Sequence, residues 1–128
     1  MSDYSAITLT RRKYLCQVTS GAISTMPAIT HIAFGSGGVD ASGNPLTPSN
    51  AQAALNNEIA RFPIDCVEYP ADTSARYKVT IGSSELVSEK ISEAALVDDN
   101  GDTHAIKNMH VKQKDEGVSF VFTFDDEF

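Results

Sequence analysis

The sequence predicts an α+β fold, mainly antiparallel β-sheet or sandwich, with an amino-terminal helix and a short second helix. Three observations carry this prediction. Apolar residues recur at helical spacing near the amino terminus and stop at a glycine. Strict two-residue alternation marks "ARYKVTIG" and "VSFVFTF" as strands. Between them, Asn100-Gly101 separates two short apolar runs, which is the strongest short hairpin signal because a type I′ turn wants positive φ at both central residues.

The elements follow in order. "ITLTRRKYLCQVTSG" places Arg11, Tyr14, Leu15 and Val18 at helical spacing, with Thr8 or Thr10 as cap and Gly21 as stop. The basic run Arg11-Arg12-Lys13 reads as the solvated face of that helix. "AITHIAFG" is a strand with Ile32 and Phe34 on one side. A glycine-rich loop, "SGGVDASGNPLTP", comes next. "PSNAQAALNNEIAR" offers Ser49 as N-cap and Gln52 three residues later, a capping-box pattern that predicts the second helix. "FPIDCVEYP" reads as one strand with Phe62, Ile64 and Cys66 on a common side. "EKISEAALVDDNGDTHAIKN" forms the hairpin, and the final strand sets Val118, Phe120, Phe122 and Phe124 on one face. Three phenylalanines on one strand face require a second layer.

With 128 residues, no repeat and no linker, a single domain over 1–128 is expected, long enough to bury about two thirds of its unfolded surface. Apolar residues at 41% and charged residues at 21% argue against bulk disorder. A formal net charge of −7 disfavours nucleic acid and anionic membranes as partners, since both require clustered Lys and Arg. No apolar stretch is long enough to span a membrane, and no signal peptide is visible, so synthesis in the cytoplasm is the expectation. Cys16 and Cys66 read as reduced, mostly buried thiols.

Candidate chemistry is sparse. Gly35, Gly37 and Gly38 do not make a GxGxxG loop, and no Lys-Ser or Lys-Thr pair follows for a phosphate-binding loop. "DDNGD" at 98–102 lacks the Gly and Glu that a calcium loop starting at Asp98 would need at 103 and 109. His31, His104 and His110 have no metal-ligand spacing, and read as ordinary surface or strand histidines. Asp65 with Glu68, or Glu89 with Glu93, are carboxylate pairs of a kind any acidic chain contains. There is no nucleophile motif. The expectation is a non-enzymatic protein without cofactor or metal.

Taken in order, several stretches resemble the amino-terminal module of phage tail-collar fibre proteins. The glycine loop is "AFGSGGVDASGNP". The segment after it is "ALNNEIAR", with Leu55, Asn57, Glu58 and Arg61 at matching places. The hairpin is "ISEAALVDDNG", keeping Ile91, Glu93, Leu96, Asp98 and Gly101, and the closing strand is "VSFVFTF". Ala95 stands where the family has Gly and Val97 where it has Phe. A fibre protein would continue beyond Phe128 into a shaft, so a self-standing component is expected.

The resemblance implies a structural protein of a phage tail or baseplate, or of a phage-tail-like particle, located in the virion and made in the host bacterial cytoplasm. It implies an adaptor or attachment module for tail fibres, homo-oligomeric in the assembly, with other tail, baseplate or fibre proteins as partners. The glycine loop is then shape rather than chemistry, an assembly loop formed by Gly35, Gly37, Gly38, Asp40, Gly43, Asn44 and Pro45. Glu58 and Arg61 form a structural pair, and Asn100-Gly101 the hairpin turn. The alternative is a small receptor- or carbohydrate-binding module using exposed aromatics such as Tyr4 and Tyr69, although four tyrosines and no tryptophan supply few stacking platforms.

Overall fold

The computed structural model describes residues 4–128. Its elements are β1 (Ser5–Ile7), α1 (Leu9–Thr19), β2 (Ile29–Gly35), β3 (Glu58–Pro63), β4 (Cys66–Ala71), β5 (Ser74–Ile81), β6 (Lys90–Asp98), β7 (Thr103–Gln113) and β8 (Phe120–Glu127). They make two antiparallel sheets, one of five strands in the order β1-β7-β6-β2-β3 and one of three in the order β4-β5-β8. The fold is thus mostly antiparallel β-structure with one short helix among the described residues.

Alternation along the strands explains where the core sits. On β2, Ile32 and Phe34 enter an apolar cluster shared with Val79 and Ile81 of β5, Leu96 of β6 and Phe124 of β8, so both sheets contribute to it. Phe34 anchors the cluster, with edge-to-face contacts to Phe122 at 5.0 Å and to Phe62 at 5.9 Å between ring centroids. The intervening Ala33, Ala95 and Val97 face the other way and meet Ile106 and Leu55. The central strands of the larger sheet are therefore buried on both sides, the second by the segment that carries Leu55.

Several sequence expectations need correction. The second helix is absent: residues 48–57 form turns and irregular structure, and β3 begins at Glu58. Ser49 does accept from the Ala51 amide at 3.2 Å, but the Gln52 side chain bonds the Ala54 carbonyl instead of returning to Ser49. The amides of Asn56 and Asn57, which a helix would aim at its own carbonyls, donate to the Glu93 carboxylate. A charged acceptor outcompetes the neutral one.

"FPIDCVEYP" is two strands, not one. The chain changes sheets between Ile64, whose amide bonds Thr30 of the first, and Asp65, whose amide bonds Lys78 of the second. Cys66 consequently lies opposite Lys78 on β4 and is exposed, as is Cys16 on α1, so neither thiol is buried. Val118 precedes β8 and is exposed, leaving Phe120, Phe122 and Phe124 to face the core.

The hairpin pairs β6 with β7 as expected, but its turn is not type I′. Gly101 has φ +87° while Asn100 has no positive φ. The Gly101 amide donates to the Asp98 carbonyl at 3.0 Å and Asp98 N–H donates to the Asp102 carbonyl at 2.9 Å, a wider loop closed by a bulge glycine.

Two substitutions test this architecture. Phe34→Ala should lower stability by about 3–5 kcal/mol in denaturant titration, since it removes the ring on which both sheets close. Gly101→Val should cost about 1–3 kcal/mol from backbone strain alone, because a β-branched residue resists positive φ.

Candidate functional site

Two constellations of buried polar groups organise the surface features of the molecule. The first is the glycine loop on Glu93. Glu93 lies on β6, fully buried, and forms no ion pair among the described residues. Its Oε2 accepts from the backbone amides of Gly37 and Asn57 and its Oε1 from that of Asn56, each at 2.8 Å. Next to it, Ser92 Oγ accepts from the Gly38 amide at 2.9 Å. A side chain at Gly38 would collide with the Ser92 carbonyl, which is why the loop can lie so close to the strand. Gly35 ends β2 against the same carboxylate.

Beyond Gly38 the loop becomes a small hairpin of its own. Val39 bridges Pro45, and Asp40 Oδ1 accepts from the amides of Ser42 and Asn44. Gly43 sits at its tip with positive φ. On the inner side Asn108 donates to the Leu46 carbonyl at 2.9 Å, tethering the return limb. The glycine loop thus has a bound base, Gly35 to Gly38, and an exposed tip from Asp40 to Asn44. Glu58 and Arg61 meet nearby at 2.7 Å in an exposed ion pair on β3, worth at most about 1 kcal/mol. Asn100 and Gly101 lie at the β6–β7 turn, where a Cβ at Gly101 would come 3.7 Å from the Arg61 guanidinium.

The second constellation was missed by sequence reading. Arg11, assigned to a solvated face, is only 3% exposed and forms a bidentate pair with fully buried Asp126 of β8, both bonds at 2.6 Å. Its Nε–H donates to His104 Nδ1 at 3.2 Å. A guanidinium only donates, so His104 Nδ1 accepts and Nε2 carries the proton, which it donates to Asp98 Oδ2 at 2.7 Å. Asp98 Oδ1 in turn holds the amides of Asn100 and Asp102 in the hairpin turn.

His104 reaches this position because it is a bulge. Leu96 pairs with Ala105 and Val97 with Thr103, leaving His104 without a cross-strand partner. Tyr14 of α1 stacks on its ring at 5.7 Å and bonds Asp102 at 2.8 Å. The hydrogen bond to Asp102 pushes the Tyr14 phenol above its ordinary range.

Above the Arg11–Asp126 pair opens a cleft of about 330 Å³, walled by Met26, Pro27, Val67, Tyr69, Tyr77 and Phe128. Tyr69 is 76% and Phe128 69% exposed. The Phe128 ring lies 5.3 Å from the Arg11 guanidinium carbon. Burial and then the charge of Asp126 push the Tyr77 phenol up. Apolar walls over a few convergent polar groups are the usual form of a ligand cleft. Tyr4, the other aromatic singled out from sequence, is no part of this wall; its carbonyl accepts from the Asn108 amide. Among the described residues, no group of three or more His, Cys, Asp or Glu is placed to hold a metal ion.

Compared with known proteins, the chain matches no protein-family model, no curated protein and no solved structure.

Removing one member of the buried pair strands a charge. Arg11→Met should therefore cost about 3–5 kcal/mol, and the double change Arg11→Met/Asp126→Leu should recover most of it, as read by thermal and denaturant unfolding. Tyr77 sets an alkaline limit. Its folded-state pKa is raised, so its contribution is present below the unfolded value of about 10 and lost as pH climbs through the folded value. Tyr77→Phe should flatten the fall in melting temperature above about pH 10.

Proposed function

We propose that this chain is a non-enzymatic structural protein of a phage tail or baseplate, or of a phage-tail-like particle, that acts as an adaptor or attachment module for tail fibres. One observation carries the reading. The stretches that resemble the tail-collar module lie far apart in sequence, yet Gly35 and Gly37, Asn56 and Asn57, and Glu93 converge on one buried carboxylate. A shared set of motifs that closes one structural joint is what a module defined by its shape requires.

In this reading the two sheets are the layers of a sandwich, and the tip from Asp40 to Asn44 projects from it as a subunit contact. Its partners are other tail, baseplate or fibre proteins and further copies of the chain. Its place is the virion, after synthesis in the host bacterial cytoplasm, and it uses no cofactor.

A second reading is supported by the cleft over Arg11. Tyr69, Tyr77 and Phe128 around a buried Arg–Asp pair suit a small receptor- or carbohydrate-binding module. Tyr69→Ala would then abolish retention on a glycan array or on host cells without altering the melt.

The adaptor reading is tested at the loop. Shortening the exposed tip across residues 40–44 should leave the melting temperature within a few degrees, because loop length enters stability only logarithmically. The shortened protein should fail to co-purify with tail components. Gly38→Ala should instead destabilise the fold itself, since the added carbon meets the Ser92 backbone. Normal incorporation of the shortened variant into particles would remove the loop from the interface.

A further inference from the structure

The edge of the three-stranded sheet formed by β8 is eight residues long and, among the described residues, has no strand on its outer side. An unpaired edge exposes a row of amides and carbonyls that template further pairing unless charge or cover protects it. Here protection is confined to the carboxyl-terminal half. Glu127 points outward there beside Asp125, which the Arg76 guanidinium holds at 2.8 Å, whereas the amino-terminal half presents Val121, 66% exposed, and Thr123. Beside that half lies an apolar pocket of about 240 Å³ reaching in to Phe34 and Met109, with Lys112 among its lining residues. Three consecutive β8 residues, Phe120, Val121 and Phe122, line it, so it runs along the strand's edge rather than over one face.

We infer that a second copy of this chain pairs here, β8 to β8, antiparallel and centred on Thr123. The strand fits itself in one orientation. Parallel pairing would oppose Asp125 to Asp125 and Glu127 to Glu127. Antiparallel pairing keeps the acids apart and carries the acidic half of each copy to the Lys112 end of the other, twice by two-fold symmetry.

Register follows from the faces. Phe120, Phe122 and Phe124 point into the core and Val121, Thr123 and Asp125 outward, so only a register that matches parity extends both layers. Centring on Thr123 sets Thr123 against Thr123, Val121 against Asp125 and Phe122 against Phe124. It also brings Glu127 level with residue 119 of the other copy, next to Phe120 and the pocket lined by Lys112. The two three-stranded sheets become one sheet of six, and the edge disappears. This deepens the subunit reading given above, and a solution experiment separates it from incorporation into particles.

The test uses the full chain with Cys16→Ser and Cys66→Ser to remove the exposed thiols. Sedimentation velocity over a concentration series should show a monomer–dimer equilibrium. Thr123→Cys should give a covalent dimer with a short bifunctional thiol reagent, because directly opposed Cβ atoms lie about 4.5–5.5 Å apart. Ser119→Asp, which places an acid opposite Glu127 at both ends, should weaken the dimer at least tenfold, whereas Ser119→Lys should preserve or tighten it. Both are surface changes, and unchanged melting curves will exclude unfolding. A chain that stays monomeric at every concentration overturns the inference. So does a dimer in which Thr123→Cys fails to cross-link, or in which Ser119→Asp and Ser119→Lys behave alike.

Discussion

The buried ion pair between Arg11 and Asp126 is the constraint on which the arrangement of the other elements depends. Helix α1 has no continuous apolar face; Arg11 is its one buried residue, and Tyr14, Leu15 and Val18 are only partly covered. It is held chiefly at two buried polar points, beside the half-buried Tyr14–Asp102 hydrogen bond. Thr8 caps the helix and donates to the Thr103 carbonyl, which ties its start to the larger sheet. Arg11 then crosses to Asp126 of the smaller sheet. A charge taken so far out of water must be met completely, so the rest of its fork goes to His104. That demand accounts for the bulge in β7, for the tautomer of the imidazole and, through Asp98, for the shape of the next turn.

Glu93 plays the equivalent part on the other side of the larger sheet. A buried carboxylate without a cation needs several donors, and here three backbone amides from two separate segments supply them. The cost is conformational. The glycine loop must come within hydrogen-bond reach of β6, and residues 56 and 57 must give up helical bonding. What looks in the sequence like an unconstrained run of small residues is therefore a fixed base carrying a free tip.

Period-two alternation made β5 and β8 legible, because their side chains choose between core and solvent residue by residue, whereas β6, buried on both faces, was marked by the Asn100-Gly101 turn that follows it. The cap at Thr8 and the stop at Gly21 bounded α1 for equally local reasons. Failures occurred where a distant partner decides. The helix suggested by Ser49 and Gln52 loses to a carboxylate 36 residues further on from Asn57. Arg11 resembles its solvated neighbours Arg12 and Lys13, and only Asp126, 115 residues away, distinguishes it. A clue was available: Asp126 sits at a core-facing position in the phase set by Phe120, Phe122 and Phe124, where an acid calls for a buried cation. β1, three residues long, carries too little pattern to be seen without its partner β7.

The way α1 is docked separates two quantities that usually move together. Most helices are fastened by buried apolar area, so their release is sensitive to urea and strengthens with kosmotropic salt. This helix covers little such area, so its local opening exposes little surface and depends only weakly on denaturant. Opening must instead break the Arg11–Asp126 pair together with the hydrogen bonds of Thr8 and Tyr14. Helix α1 is therefore a latch whose release is tuned by electrostatics, on a body whose cohesion is tuned by solvation.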